Sequence, residues 1–185
     1  MILDSLLLFT GTSQGASGGI TSTSNTDAPT TGTQVASNVL DLGVASGVPS
    51  SANGAGARDI GVGGNPVLWL WATVTVAFAG GTSLQLLLAG APDNGSGAEG
   101  SYTTMWTSFA YVEANLDVGA QLANVSVPRV VPGQVLPRFL RLSFVTVGTH
   151  TGGAVGAGVV LDRFDQIQGV DSALSGYPAG LNVAN

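Results

Sequence analysis

The single histidine of the chain, His150, is the first residue whose type could support chemistry. An imidazole can act as a general base or bind a metal ion. This one lies between Thr149 and Thr151 in the stretch RFLRLSFVTVGTHTGGAVGAGVVLD (138–162), where glycines predict a turn. We expect a solvated turn residue. With one histidine in the chain, a metal site built from several histidines is excluded.

Ser17 lies in GASGG (15–19), which matches the G-x-S-x-G pattern of a nucleophilic serine. That chemistry needs a helix directly after the serine. The following residues, ITSTSNTDAPTTG, form helices poorly. In a tract rich in glycine and serine the pattern arises by chance, so we predict no catalytic serine.

Carboxylates form a candidate chemical group in three further places. The loop DNGSGAE (93–99) offers oxygen ligands of the kind that calcium prefers, but it lacks the spacing of an EF-hand, and we expect a solvated turn. Asp59 follows Arg58, and Asp162 precedes Arg163. Paired carboxylates could do acid–base work, but acids beside arginines more often form surface or interface ion pairs.

The stretch GVGGNP (61–66) resembles a glycine-rich phosphate loop, but Pro66 replaces the third glycine and a strand is predicted next. The chain has no cysteine, which excludes disulfides and thiolate chemistry. The sequence therefore predicts no enzyme. We assign no catalytic, cofactor-binding or metal-binding residue, and no cofactor.

Charge is scarce: 9% of the residues are charged and the net charge is −6, against a usual charged share of about 25%. Nucleic acid is not an expected partner, because binding it requires clustered Lys and Arg. No apolar run reaches the roughly 18 residues of a membrane helix, and MILDSLLLF does not resemble a signal peptide. The low share of charged residues indicates a surface that is covered by partners or one that is made of Ser, Thr, Asn and Gly. Composition leaves both open.

The elements that must position these residues are strands. Period-two alternation and frequent turn signals predict seven to nine strands and no ordinary amphipathic helix. In VLWLWATVTVAF (67–78), one face carries the core candidates Leu68, Leu70, Val74, Val76 and Phe78. The other face carries Trp69, Trp71, Thr73 and Thr75. Gly80-Gly81 predicts a turn into a returning strand at 83–89, and 102–113 is predicted to be one strand.

The stretch 138–162 is predicted to be the final hairpin. Arg141 points outward, towards an ion pair with a partner, and the core receives Leu140, Leu142, Phe144, Val159 and Leu161. The fold class is all-β, a jelly roll or β-sandwich. We predict one domain over 1–162, with 10–33 and 43–56 as long loops or arms and 163–185 as a C-terminal tail.

Four segments in this order resemble the jelly-roll cement (decoration) proteins of tailed bacteriophage capsids: MILDSLLLF at the N-terminus, NVLDLG (38–43), ARDIGVGGNPVLWLW (57–71) and LPRFLRLSFVTVGTHTGGAVGAGVVLD (136–162). They cover roughly a third of the chain, and their order carries the resemblance. The tract 10–33 is longer than the family pattern, residues 44–56 look inserted, and the tail is long. We interpret these segments as arms that extend over the shell.

The resemblance implies a homodimeric structural protein on the outer surface of the virion. It would bind the major capsid protein of an icosahedral shell and stabilise contacts between capsomers, without catalysis or cofactor. Trp69, Trp71 and Trp106 are candidate interface anchors, because aromatic residues dominate binding hot spots. A position in the core is an equally good interpretation of all three. A lectin-like, carbohydrate-binding β-sandwich is the alternative function, and exposed coplanar tryptophans in a groove would favour it.

Overall fold

The computed structural model describes residues 7–11, 26–42, 67–128 and 137–160. These residues form eight strands and one turn of 3-10 helix. The strands are β1 (Gly32–Asp41), β2 (Trp69–Gly80), β3 (Ser83–Ala91), β4 (Thr103–Thr107), β5 (Tyr111–Val112), β6 (Gln121–Ser126), β7 (Phe139–Val147) and β8 (His150–Val160). The 3-10 turn spans Glu113–Asn115, between β5 and β6.

The strands form two antiparallel sheets. One has the order β1-β7-β3-β4, with β5 also paired to β3, and the other has the order β6-β2-β8. Leu8 extends the second sheet through a bridge to Gly158 on the outer edge of β8. Along the chain, every connection crosses from one sheet to the other except those from β3 to β4 and from β4 to β5. This interleaving is the topology of a jelly roll, and it confirms the predicted all-β sandwich.

The prediction that 138–162 forms a hairpin is wrong in its pairing. β7 pairs with β1 and β3, whereas β8 pairs with β2, so the two strands lie in opposite sheets. The strands on either side of Gly80-Gly81 are likewise unpaired with each other. Alternation predicts that a strand has an apolar face. It does not predict which strand pairs with it, because that depends on how the apolar faces of the two sheets pack around one core.

The inward faces of the two sheets bury one hydrophobic core. β3 contributes Leu84, Leu86 and Leu88, each 0% exposed. Burying one such side chain contributes roughly 1.5–3 kcal/mol. Eight residues predicted from alternation are confirmed as buried: Leu68, Leu70, Val74, Phe78, Leu140, Leu142, Phe144 and Val159. Leu161 lies outside the described residues.

Val76 is the exception, since its side chain is 53% exposed. The register of β2 against β8 shifts between Val74 and Val76 and again before Ala79. An extra residue in one strand turns the following side chain to the other face. The prediction that Val76 faces the core is therefore wrong. It assumed strict alternation of inward and outward side chains along the strand, which a bulge interrupts.

The two ends of the tract 10–33 are fixed against the second sheet. Asp27 exchanges backbone hydrogen bonds with Val155 of β8 at 2.9 Å. Its carboxylate accepts hydrogen bonds from the backbone N–H of Gly11 at 3.2 Å and of Ser37 at 2.7 Å. These contacts tie the middle of β1 to β8. The rest of the tract, the loop 43–56 and the tail 163–185 lie outside the described residues.

Candidate interaction surface

His150 is not a solvated turn residue. It is the first residue of β8 and only 2% exposed. Its backbone N–H donates to the carbonyl oxygen of Thr30 at 2.8 Å, and its Nε2 lies 3.3 Å from the carbonyl oxygen of Ser83. The ring packs edge-on against Phe78, with 5.0 Å between centroids. The prediction failed because the turn is shorter than the glycines suggested, so the strand has already begun at His150.

A glycine explains how the imidazole fits between the two turns. Gly81 has a φ of +70°, a conformation that favours glycine. A Cβ placed there would lie 2.6 Å from two atoms of the His150 ring. The turn from β2 to β3 therefore rests directly on the imidazole, and His150 fills the space between that turn and the start of β8.

Replacing His150 with Asn is expected to lower the free energy of unfolding by about 2 kcal/mol, because the smaller amide loses the ring packing and leaves a void. Urea unfolding followed by tryptophan fluorescence measures the change. Thr149→Asn is the matched control, since Thr149 is the exposed neighbouring residue. Equal stability of the two variants would show that the burial of the imidazole contributes nothing.

The loop 93–99 is a turn, as its composition predicted. Asp93 Oδ1 accepts hydrogen bonds from the N–H groups of Gly95 at 2.7 Å and Gly97 at 3.0 Å. The other carboxylate oxygen accepts from Arg138. Among the residues that the structure describes, no group of three or more histidine or acidic side chains is placed to hold a metal ion.

Arg138 connects three separate segments and was not predicted as a structural residue. Its guanidinium pairs with Asp41 in a bidentate way, with Nε–Oδ1 at 2.9 Å and Nη2–Oδ2 at 2.8 Å, and it also pairs with Asp93. The Arg138 side chain is 8% exposed. The N–H groups of Gly97 and Gly95, and then Arg138, lower the pKa of Asp93. The sequence does contain a signal for this role: an arginine directly before an apolar strand, in a chain that is so poor in charge. The sequence analysis did not use it.

The other candidate residues fall outside the described part of the chain. Ser17, the loop 61–66, the Arg58–Asp59 pair and the Asp162–Arg163 pair are not described. Among the described residues, His150 and the loop 93–99 are not brought together into one site. Of the candidates that the structure does describe, His150 fills a gap in the packing and the loop 93–99 forms a turn.

The three tryptophans are neither fully buried nor exposed. Trp69 and Trp71 are half-buried on the outward face of β2, two residues apart. Trp106 lies opposite Leu88, and its half-buried side chain packs against the core from β4. The two interpretations from the sequence, core or interface anchor, each describe part of the arrangement.

A broad uncharged surface lies on the outward side of the five-stranded sheet. Val35 is 52% exposed, Val112 is 51% exposed and Val147 is 56% exposed. Half-buried apolar and polar side chains lie between them on β3 and β7. We call this surface the uncharged face and define it by Thr33, Val35, Gln85, Leu87, Thr107, Val112, Val145 and Val147.

Within the described strands of this sheet, the charged residues Asp41 and Arg141 lie at one end, and Glu113 follows Val112 at the other end. Arg141 is half-buried, and its guanidinium stacks on the ring of Tyr102 at 3.8 Å from the centroid. Beyond it, Arg138 pairs with both Asp41 and Asp93, so one of the two negative charges is left uncompensated. Arg141 was predicted to point outward, and it lies on the outward side, covered by an aromatic ring. In a chain with a net charge of −6, the uncharged face can approach a partner without repulsion between like charges.

Comparison with protein families gives one match that covers most of the chain. Residues 23–159 match the model of the family described as Bbp16. A comparison with curated proteins finds no match. Within the described residues, no helix is long and apolar enough to cross a membrane.

Proposed function

This chain belongs to the Bbp16 family, and from that premise we propose that it is a structural virion protein that decorates an icosahedral phage capsid. It binds the outside of the shell, its partner is the major capsid protein, and it strengthens contacts between capsomers. On the shell it acts as a homodimer. It performs no catalysis and carries no cofactor.

The resemblance to cement proteins supports this proposal at the level of particular strands. The first four residues of the segment NVLDLG form the end of β1, and the segment 136–162 contains β7 and β8. These strands occupy both sheets of the jelly roll. The segments that carry the resemblance therefore build the framework of the domain.

The uncharged face is the observation that carries the proposal. A surface without charge can be covered by a partner without the free-energy cost of removing ions from water. Its valines lie on strands held in register by β3 and β7, so little side-chain or backbone freedom is lost on binding. Weak contacts of this kind, repeated over a closed shell, give high occupancy through multivalency.

The lectin-like alternative gains no support from the tryptophans. Stacking on sugars needs exposed aromatic faces, whereas Trp69, Trp71 and Trp106 are all half-buried. We therefore propose the capsid-binding function alone.

Purified protein mixed with expanded capsids that lack it is expected to co-sediment with them and to saturate at a fixed number of copies per shell. Repeated identical sites on a closed shell require such saturation. Capsids that already carry the protein are the control and should take up none. Absence of binding to the shell of its own phage would contradict the proposal.

A further inference from the structure

We propose that a groove at the open edge of the sandwich receives an extended, uncharged peptide segment of the shell protein, which adds to the edge of β6 that no described strand covers. This inference rests on the proposed function and deepens it, because it names a second contact with the same partner. The carrying observations, all on described residues, are the shape of the groove, the edge of β6 that no described strand pairs with, the exposed phenylalanine and the uncharged lining.

The groove lies where the edge strands of the two sheets meet. β4 and β5 form one wall, β6 forms the other, and the volume is about 410 Å³, within the usual range of binding pockets. Tyr111 crosses the gap, and its hydroxyl donates to the carbonyl oxygen of Leu122 at 2.7 Å. Burial raises the pKa of Tyr111. This hydrogen bond joins the two sheets and gives the groove a fixed floor.

β6 offers backbone groups to an added strand. Among the described residues it pairs only with β2. The N–H of Val127 donates to the carbonyl oxygen of Leu68 at 2.8 Å, so the odd-numbered residues from 123 to 127, which share this register, bond towards β2. Even-numbered residues bond towards the open side, as the Leu122 carbonyl does. The backbone of Asn124 is therefore aimed at the open edge, where an extended peptide can pair with it.

Phe109 stands at the rim of the groove with 84% of its surface exposed. Its position is fixed by Ser108, which is buried and whose Oγ accepts from the N–H of Leu86 at 2.9 Å and donates to the carbonyl oxygen of Phe109 at 2.7 Å. Gln85 Nε2 also donates to the carbonyl oxygen of Ser108, at 2.9 Å. These bonds break the predicted strand 102–113 into β4 and β5. They hold an exposed aromatic side chain in a rigid corner, which is typical of a binding anchor.

The described residues that line the groove carry no charge. They are Trp106, Thr107, Ser108, Phe109, Tyr111, Gln121, Leu122, Ala123, Asn124 and Val125. A charged occupant would lose its hydration here without gaining a counter-ion. The occupant is therefore an uncharged segment. Thr107 also belongs to the uncharged face. A shell protein that contacts that face therefore also lies next to the opening of the groove.

Photo-crosslinking on the assembled particle tests the inference. Phe109 is replaced by p-benzoylphenylalanine, the full-length protein is bound to capsids that lack it, and irradiated crosslinks are identified by mass spectrometry. We expect crosslinks to one uncharged, extended segment of the major capsid protein. Crosslinks to another copy of this chain, crosslinks to its own residues 161–185, or bound protein without crosslinks would each overturn the inference.

Two variants test the same site by affinity. Phe109→Ser removes the anchor, and Asn124→Pro removes an N–H from the open edge without removing a bond to β2. Each is expected to weaken capsid binding about tenfold or more. Val118→Ser is the control, because Val118 is 67% exposed and does not line the groove. Unchanged binding by both variants would refute the inference and leave the proposed function standing, whereas wild-type protein that fails to bind capsids would refute both.

Discussion

Replacement of Val35 by Asp is expected to weaken binding to capsids by about a hundredfold or more. Val35 is 52% exposed on β1, within the uncharged face. A carboxylate there would have to be covered by the shell without a cation beside it. An unpaired charge of this kind costs about 3 kcal/mol or more, which corresponds to roughly two orders of magnitude in affinity. Titration of fluorescent protein onto capsids measures the change.

Val76→Asp is the matched control for this experiment. Val76 is also a strand valine and is 53% exposed, but it lies on β2 in the other sheet. Both variants add the same charge at equally exposed positions, so their stability and their long-range repulsion from the shell should be similar. Equal loss of affinity in the two variants would contradict the assignment of the uncharged face as the contact surface.

Arg138→Met is expected to lower the free energy of unfolding by about 2 kcal/mol at neutral pH. The substitution keeps most of the aliphatic volume but leaves Asp41 and Asp93 without their shared cation. Breaking a buried ion pair costs about 3–5 kcal/mol, and the expected loss is smaller here because water reaches both carboxylates. Urea unfolding at pH 7 measures it. Arg141→Met, which loses only a cation–π contact, should cost about 0.5–1 kcal/mol.

Acid should reduce the effect of Arg138→Met. The N–H groups of Gly97 and Gly95, and then Arg138, lower the pKa of Asp93 in the folded protein. The part due to Arg138 is present above the ordinary pKa of an aspartate and is lost as the pH falls through the folded value. The stability difference between wild type and Arg138→Met should therefore shrink below about pH 4. A difference that stays constant from pH 7 to about pH 2.5 would show that the ion pairs with Arg138 are not its source.

The fold class could be read from the sequence because each strand buries one face. Leu140, Leu142 and Phe144 alternate with half-buried or polar residues, and alternation of this kind identifies a strand wherever it occurs. Pairing could not be read in the same way. The turns at Gly80-Gly81 and Gly148-Thr149 connect strands of opposite sheets, and a short turn has the same composition whether it closes a hairpin or crosses a sandwich.

The interaction surface was less predictable than the fold. Sequence reasoning noticed His150 for its chemistry, although its role is to pack against Phe78 and Gly81. It found no role for Arg138, whose partners are 45 and 97 residues away in sequence. The uncharged face is assembled from strands that are distant in the chain, so no single stretch displays it. Scarcity of charge was the only signal that pointed towards it.

Electron cryomicroscopy of capsids decorated with the purified protein tests the central claim most directly. We predict a jelly roll on the outer surface of the shell at a fixed set of positions, with Val35, Val145 and Val147 turned towards the major capsid protein. Capsids without added density, or a bound jelly roll whose uncharged face points to solvent, would contradict it.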